Sequence, residues 1–565
     1  MVTEQRARTH WPVVIAGAGP VGMTLAAELG SRGVETLVVE QAPQTTRNPR
    51  CNTTNARSME YFRRLGIADE IRRAGLPLDH ASDVVYCTSV TGRELHRFRF
   101  SSSGEILDGT APEFDEWPTP EPQHRVSQIF LEPILAGHLA HYPSVTVRRG
   151  HRVVAVRDGE DAAEVDVAAV GAGGTYSLSA DYLVGCDGGA SVVRRGIGST
   201  LTGDGRAAEE RLSVYFRSTQ LAAHLGDRPG WMYWWYSERL RGSFLQLDGR
   251  ELFLCHARVP EGTAPEDLDE DEMLRAAIGE PDGHPVDVEK LEVVRWTPRR
   301  LVADRFRGSR VVLAGDAAHL WLPLGGFGMN TGIADAVGLG WRLAAVLRGW
   351  GGERLLADYE TERRSVGEAT SRAALKIDRD MRSVARAPAL HDDGPDGDAL
   401  RAEAARIIEA TDRQQWYSQG VQFGTRYRDS PGVAGQLADS GGTLDDIGTY
   451  LPSDDPGARF PHAWLEGHTS VFDRLGRDLT LVRVGAAGDP GPLVAAAAEL
   501  GVPLDVVDVP AGPGTAVYRH ALVLVRPDLV VAWRGDAPPE DARALLRTLT
   551  GTDVDALSTT VMEAQ

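Results

Sequence analysis

Residues Val13–Glu40 read VVIAGAGPVGMTLAAELGSRGVETLVVE. The run Val13–Ala16 is apolar without alternation, as in a strand buried on both faces. Gly17-Ala18-Gly19-Pro20-Val21-Gly22 follows at once and fits G-x-G-x-x-G. Met23, Leu25, Ala26 and Leu29 then repeat at helical spacing, and Gly30 to Gly33 break the pattern before a second apolar strand, Glu35–Val39. Gly17 permits a tight turn, Gly19 lets backbone N–H groups approach a pyrophosphate, and Gly22 lets the helix pack closely on the strand. The helix N-terminus adds unpaired donors and a positive dipole end. Glu40 closes the second strand, where a carboxylate accepts hydrogen bonds from a ribose diol. The arrangement predicts a dinucleotide site for FAD or NAD rather than NADP.

Composition bounds the rest. A chain of 565 residues is too long for one core and implies two or three domains. A formal charge of −20 argues against nucleic acid as a partner, because phosphate backbones require a basic face. The four cysteines (Cys51, Cys87, Cys186, Cys255) are scattered without a C-x-x-C pair, which argues against a disulfide framework, a metal site or a dithiol centre. The opening MVTEQRARTH lacks the apolar core of a secretory signal, and no apolar run reaches membrane-spanning length. A soluble, cytoplasmic protein is expected.

Beyond Glu40, a polar loop carries Arg47 and Arg50, and Asn55–Leu65 has helical periodicity. Residues 84–100 alternate around Thr91-Gly92 like a hairpin, and a helix is expected from about Gln128. Residues 200–295 alternate like an antiparallel sheet with a hairpin turn at Asp248-Gly249. Within it, a period of two puts Trp231, Tyr233 and Trp235 on one face. That face is either core packing or a wall for a flat ligand. A buried strand returns at 309–314 and ends in Gly315-Asp316-Ala317-Ala318-His319. The loop LWLPLGGFGMNTG follows, then a helical stretch from Ile333 to about Arg386 broken near Trp350-Gly351-Gly352. His391–Asp398 reads as a linker. After it, β-α-β order, a hairpin and a helix suggest a thioredoxin-like topology, with no cysteine beyond Cys255 to support redox activity.

Three motifs in this order, GAGPVG with Glu40, the CDG segment (Asp187, Gly188, Ser191, Arg194) and GDAAH with PLGGFGMNTGIADA, resemble the flavin-dependent aromatic hydroxylases of the p-hydroxybenzoate hydroxylase fold. The segment PGARFPHAWL at 456–465 is similar to the opening of the thioredoxin-like domain in the phenol hydroxylase branch. The hydroxyphenylpropionate hydroxylases and the actinobacterial oxygenases that tailor polycyclic aromatic antibiotics, rebeccamycin-type enzymes among them, are the nearest in pattern. Leu322 and Gly338 depart from it, where the family often has proline and asparagine.

The resemblance implies an α/β fold with a Rossmann-like FAD-binding domain (11–82, 101–198 and 296–390), an interleaved antiparallel-sheet substrate domain (83–100 and 199–295) and a C-terminal thioredoxin-like domain (400–565). It implies that Gly17, Ala18, Gly19, Pro20, Val21, Gly22, Glu40 and Gln41 hold the ADP half of FAD, with Arg50, Gln128 and Asp187 also on the cofactor. Asp316 would bind ribityl oxygens, and Pro323, Gly326, Gly328, Met329 and Asn330 would line the flavin ring. NADPH or NADH would serve as transient reductant, and O2 would react through a flavin hydroperoxide to hydroxylate an aromatic substrate. Water exclusion and ring orientation fall to the protein. Trp231, Tyr233, Trp235 and Phe327 are the expected substrate contacts. Arg50, Pro323, Tyr233 and His256 are the candidate catalytic residues, the last two as bases. A Baeyer–Villiger or oxidatively decarboxylating reaction on the same scaffold, a non-catalytic binding role and a homodimer remain open. A flavin halogenase is disfavoured, since neither Lys290 nor Lys376 follows the first motif closely.

Overall fold

The computed structural model describes residues 8–553 except 172, 382–383, 385–387, 436–445 and 467–468. The last residues of the expected C-terminal domain, 554–565, thus lie outside the described residues.

The opening stretch folds as its pattern dictates. His10–Ala16 is a strand, Pro20–Ser31 a helix and Thr36–Glu40 the next strand, paired in parallel with the first from Val13 opposite Thr36. Val145–Arg149 extends the sheet beyond Thr36–Glu40, and Thr175–Gly185 lies on the other side of His10–Ala16, both parallel. Val311–Leu313 adds a further parallel strand to Thr175–Gly185, and Ala163–Ala169 with His151–Asp158 forms an antiparallel flap. Val13, Val14, Ile15 and Ala16 are wholly buried, which explains their unbroken apolarity.

A second sheet of seven strands runs in the order Glu289–Trp296, Arg211–Arg217, Leu252–Arg258, Arg241–Gln246, Met232–Tyr236, Val84–Cys87 and Glu94–Phe98. It is antiparallel except where Met232–Tyr236 meets Val84–Cys87. The Asp248-Gly249 turn is present, with Gly249 at φ +65° and Asp248 Oδ1 accepting from the N–H groups of Arg250, Glu251 and Leu252.

The long helical stretch begins earlier than its periodicity suggested, at Phe327. It runs as Phe327–Leu347, then Arg354–Asp380 after the Trp350–Gly352 break. His391–Asp398 is only partly a linker. Pro395 opens a helix, Pro395–Trp416, because proline suits the first helical position and Asp396 and Asp398 favour the positive end of the dipole. This helix packs on the second sheet, with Ile408 and Trp416 in the same core as Tyr86 and Trp234. Residues 400–416 therefore sit with the second sheet rather than with the C-terminal one.

The C-terminal sheet has the order Leu504–Val509, Leu479–Val484, Leu522–Val525, Val531–Gly535. Leu479–Val484 and Leu504–Val509 are parallel around helix Gly491–Leu500, and the others are antiparallel, which gives the thioredoxin-like topology. Buried ion pairs seat this unit. Arg526 holds both Glu362 oxygens at 2.7 and 2.9 Å, and Glu362 also binds Arg342 at 2.6 Å. Arg459 pairs with Glu60. Among the described residues, no helix is long and apolar enough to cross a membrane.

Candidate active site

One cavity of about 1380 Å³ extends from the first glycine loop to the second sheet. At one end it is lined by Ala16–Val21 and Val39–Gln41, at the other by Trp231, Trp234, Ser243, Leu245, Leu254 and His256.

The glycines of the first loop differ in what fixes them. Gly17 has φ +103°, and a Cβ there would lie 2.4 Å from the Cys186 carbonyl oxygen. A Cβ on Gly22, which packs beneath the cavity rather than lining it, would lie 2.1 Å from the Gly17 oxygen. Gly19 is extended, at φ −75°, and a Cβ there would meet nothing within 4 Å. Two positions are thus closed by the fold, and the third is open toward the helix N-terminus, where an anionic group can approach. Glu40 Oε2 accepts from Ala18 N at 2.7 Å and Oε1 from Ala42 N at 2.7 Å, so the acid braces the loop and keeps lone pairs for a further donor.

Gln128, at the start of helix Gln128–Leu139, donates to Glu132 at 2.7 Å, and Glu132 accepts from Thr46 N at 2.7 Å. The Arg50 loop is thereby tied over the cavity, and Arg50 lines it. Asp187 accepts from Ser191 Oγ at 2.5 Å and from Val192 N at 2.7 Å, which caps helix Val192–Gly196 while the residue lines the cavity. Asp316 lines it too, open to the cavity but ringed by protein; loss of bulk water pushes its carboxyl up, against the opposing charges of His319 and Arg50.

The second glycine loop turns on Gly325 and Gly326, both left-handed at φ +68° and +65°. Pro323, Gly326, Gly328 and Met329 line the cavity. Asn330 does not. Its side-chain amide donates to Gly326 O at 2.5 Å and Thr53 O at 3.0 Å, and its oxygen accepts from Asn55 N at 2.9 Å, so it binds this loop to the segment after Arg50. Phe327 is also withdrawn. The left-handed turn swings its ring back over Gly325 into the core, leaving it 1% exposed.

The aromatic strand departs from the expected face. Trp231 and Met232 both donate to the Asp83 carbonyl, at 2.9 and 3.3 Å, so an extra residue is taken up there and the period of two does not run through. Trp231 and Trp234 line the cavity, whereas Tyr233 and Trp235 face the opposite core with Phe244, Phe253 and Met273. The Tyr233 hydroxyl accepts from Gly230 N at 2.8 Å, and burial pushes its pKa well up. Tyr233 is neither a cavity base nor a substrate contact, and Trp235 is core. His256 does line the cavity, bound to Ser213 Oγ at 2.6 Å, but burial and Arg211 pull its pKa down to about 4. At neutral pH it is an uncharged hydrogen-bonding group rather than an effective base.

Sequence reasoning missed Arg125, Trp321 and Trp416, all cavity-lining. Trp416 comes from a segment far along the chain, and nothing local flags it. Trp234 would have followed had the irregularity at Trp231 been foreseeable. Buried polar atoms without partners occur among these lining residues (Asn52 Oδ1, Arg125 Nη2, Trp234 Nε1, Trp321 Nε1), groups that a polar guest in the cavity can satisfy. Together with the open Gly19 and the helix end behind it, they fit a flavin dinucleotide lying along the cavity.

Comparison with known proteins agrees. A model of the FAD binding domain matches residues 10–374, and one of the aromatic-ring hydroxylase C-terminal domain matches 453–552. The chain belongs to the FAD-dependent aromatic-ring hydroxylases, which are flavoprotein monooxygenases. It is 33% identical to aklavinone 12-hydroxylase RdmE of Streptomyces purpurascens, over 94% of this chain and 97% of that protein. It is 31% identical to 4-methyl-5-nitrocatechol 5-monooxygenase of a Burkholderia species, over 95% and 96%. Among solved structures, the rebeccamycin biosynthetic enzyme RebC with reduced flavin superposes with TM-score 0.87 at 38% identity, covering 97% of this chain and 100% of that one.

Proposed function

We propose that this monooxygenase oxygenates a phenolic or polycyclic aromatic substrate of the polyketide or natural-product kind, with NADPH or NADH as reductant. The observation carrying this reading is the single cavity that joins the glycine loop at Gly17–Val21 to the Trp231 and Trp234 wall. Its volume of about 1380 Å³ exceeds the ~300–1,000 Å³ usual for one small ligand, and accommodates a dinucleotide with a multi-ring substrate beside it. Relatives whose names include aklavinone hydroxylase and polyketide hydroxylase support the same substrate class.

In this reading, FAD supplies, when bound, the acceptance of reducing equivalents and the activation of O2 that ring oxygenation requires. The remaining work is the protein's. Backbone N–H groups at Gly19 and the helix behind them would hold the pyrophosphate, Glu40 a ribose, and Asp316 the ribityl chain. Pro323, Gly326, Gly328 and Met329, which line the cavity, would border the ring. Trp231, Trp234, Leu245, Leu254 and Leu322 give the substrate an apolar wall that excludes water and orients its plane. His256, uncharged at neutral pH, holds a substrate hydroxyl by a hydrogen bond without removing its proton.

The test is anaerobic reduction of the purified holoenzyme by NADPH and by NADH, with simple phenols through to multi-ring aromatics. Acceleration of flavin bleaching by a multi-ring phenol, followed by its oxygenation in air, is the expected result. Bleaching that no aromatic influences contradicts the substrate assignment.

A further inference from the structure

Arg125 lies in the loop leading into helix Gln128–Leu139, beside the bridge that pairs Thr54 with His124. Its side chain is almost wholly enclosed, with the residue 3% exposed, and it borders the cavity. Nη1 donates to Thr53 Oγ1 at 3.2 Å, while the buried Nη2 has no partner. The guanidinium stands 4.5 Å from the Trp231 ring centroid, 5.4 Å from Phe100 and 5.8 Å from Trp416. No carboxylate pairs with it among the described residues. Glu113, the carboxylate whose charge acts on it, is occupied by Ser101 N and Oγ at 2.7 and 2.6 Å.

The other buried arginines of the cavity are differently placed. Arg211 and Arg258 share Asp378, at 3.7 and 3.0 Å, and Glu209, at 3.8 and 3.5 Å. Their charge is compensated; that of Arg125 is not. Burial pulls the Arg125 pKa down to about 9, so the group stays cationic at neutral pH. An enclosed cation with an idle donor is costly, and ring faces recover only part of that cost. An anionic oxygen arriving with a ligand removes the remainder.

Location indicates which ligand. Thr53, the Nη1 partner, packs on the second glycine loop, where a Cβ on Gly326 would lie 2.9 Å from Thr53 Cβ. Arg125 therefore sits at the seam between that loop and the Trp231 wall. We propose that Arg125 is the anion-recognising residue of the substrate end, its Nη2 donating to a carboxylate or ionised hydroxyl oxygen carried on the aromatic substrate. This rests on the reading of that end as the substrate site.

The test is equilibrium titration of the oxidised holoenzyme, followed by the flavin absorbance change, with 3-hydroxy-2-naphthoate, 2-naphthol and naphthalene. The wild type is expected to bind the carboxylate probe most tightly across pH 6–8, where Arg125 stays cationic, and to hold 2-naphthol, bound as its naphtholate, more tightly than naphthalene. Preference for 2-naphthol over naphthalene but none for the carboxylate probe over naphthalene assigns the site to ionised hydroxyls; the reverse assigns it to carboxylates. Arg125→Met should lose about 10- to 100-fold for the anionic probes and little for naphthalene, as for one charge-assisted hydrogen bond. Arg125→Lys should recover part of that loss, and FAD content should stay at the wild-type level in both variants. Equal weakening of neutral and anionic probes, loss of FAD, or a wild type that prefers naphthalene overturns the role of Arg125. Failure of every probe to perturb the wild-type flavin overturns instead the substrate-site reading on which it rests, and the proposal with it.

Discussion

Gly19→Ala separates the fold's need for glycine from the cofactor's. Gly19 has φ −75° and ψ −178°, which alanine adopts without strain, and its Cβ would meet no protein atom within 4 Å. Restricting the unfolded chain should leave the apoprotein unchanged or stabilised by roughly 0.4–1 kcal/mol. In the proposed binding mode the new methyl would occupy the space in which the pyrophosphate meets the backbone. Crowding of one carbon in a close-packed contact costs about 1–3 kcal/mol, equivalent to roughly a 5- to 150-fold rise in the Kd for FAD. Gly17→Ala is the control. At φ +103°, with its Cβ 2.4 Å from a backbone oxygen, it strains the protein itself and should lower the apoprotein Tm. Thermal unfolding of the apoproteins by circular dichroism and FAD titration by flavin fluorescence quenching read the two effects apart. The reasoning is refuted if Gly19→Ala binds FAD with wild-type affinity, or destabilises the apoprotein as Gly17→Ala does.

Adjacent tryptophans should behave oppositely: Trp234→Ala raises KM for the aromatic substrate, whereas Trp235→Ala, a core truncation, costs about 3–5 kcal/mol in denaturant unfolding and leaves KM of the folded fraction near wild type. Glu362→Ala removes the carboxylate held by both Arg342 and Arg526, leaving Asp528, 3.7 Å from Arg342, as the one they still share, and should destabilise the protein by about 3 kcal/mol, measured by urea unfolding. Asp335 gives a pH signature. Burial raises its carboxyl pKa, but Arg363 and His319 outweigh that and hold it at about 2, against an ordinary 3.8. A lowered folded-state value contributes stability above the ordinary pKa and loses it as pH falls, here on the order of 2 kcal/mol fading between about pH 5 and pH 2. The stability gap between wild type and Asp335→Asn should narrow over that window; a gap independent of pH argues against the ionised Asp335 pairing.

Legibility in the sequence followed locality. The first β-α-β unit was readable because turn, helix and strand-end acid follow one another within Val13–Glu40 and Gly22 packs against Gly17 there, although the carbonyl that closes Gly17 belongs to Cys186. The hairpin at Asp248-Gly249 was readable for the same reason. The Trp231 strand was not, because its face depends on two N–H groups sharing the Asp83 carbonyl, a contact between distant residues. Asn330 and Phe327 lie inside a recognisable loop, yet the left-handed turn at Gly325 and Gly326 sends one to brace Thr53 and the other into the core. Trp416 and Arg125 carry no local signal at all. Each matters through what the folded chain brings beside it.

Central to this account is that one cavity serves both the flavin and an aromatic ring that receives oxygen. The direct measurement is turnover under 18O2 with NAD(P)H and a multi-ring phenol that accelerates flavin reduction, with the product analysed by mass spectrometry. The account predicts one labelled oxygen atom in the product for each NAD(P)H consumed. Unlabelled aromatic recovered intact, with all reducing equivalents released as hydrogen peroxide across the whole panel, would contradict it.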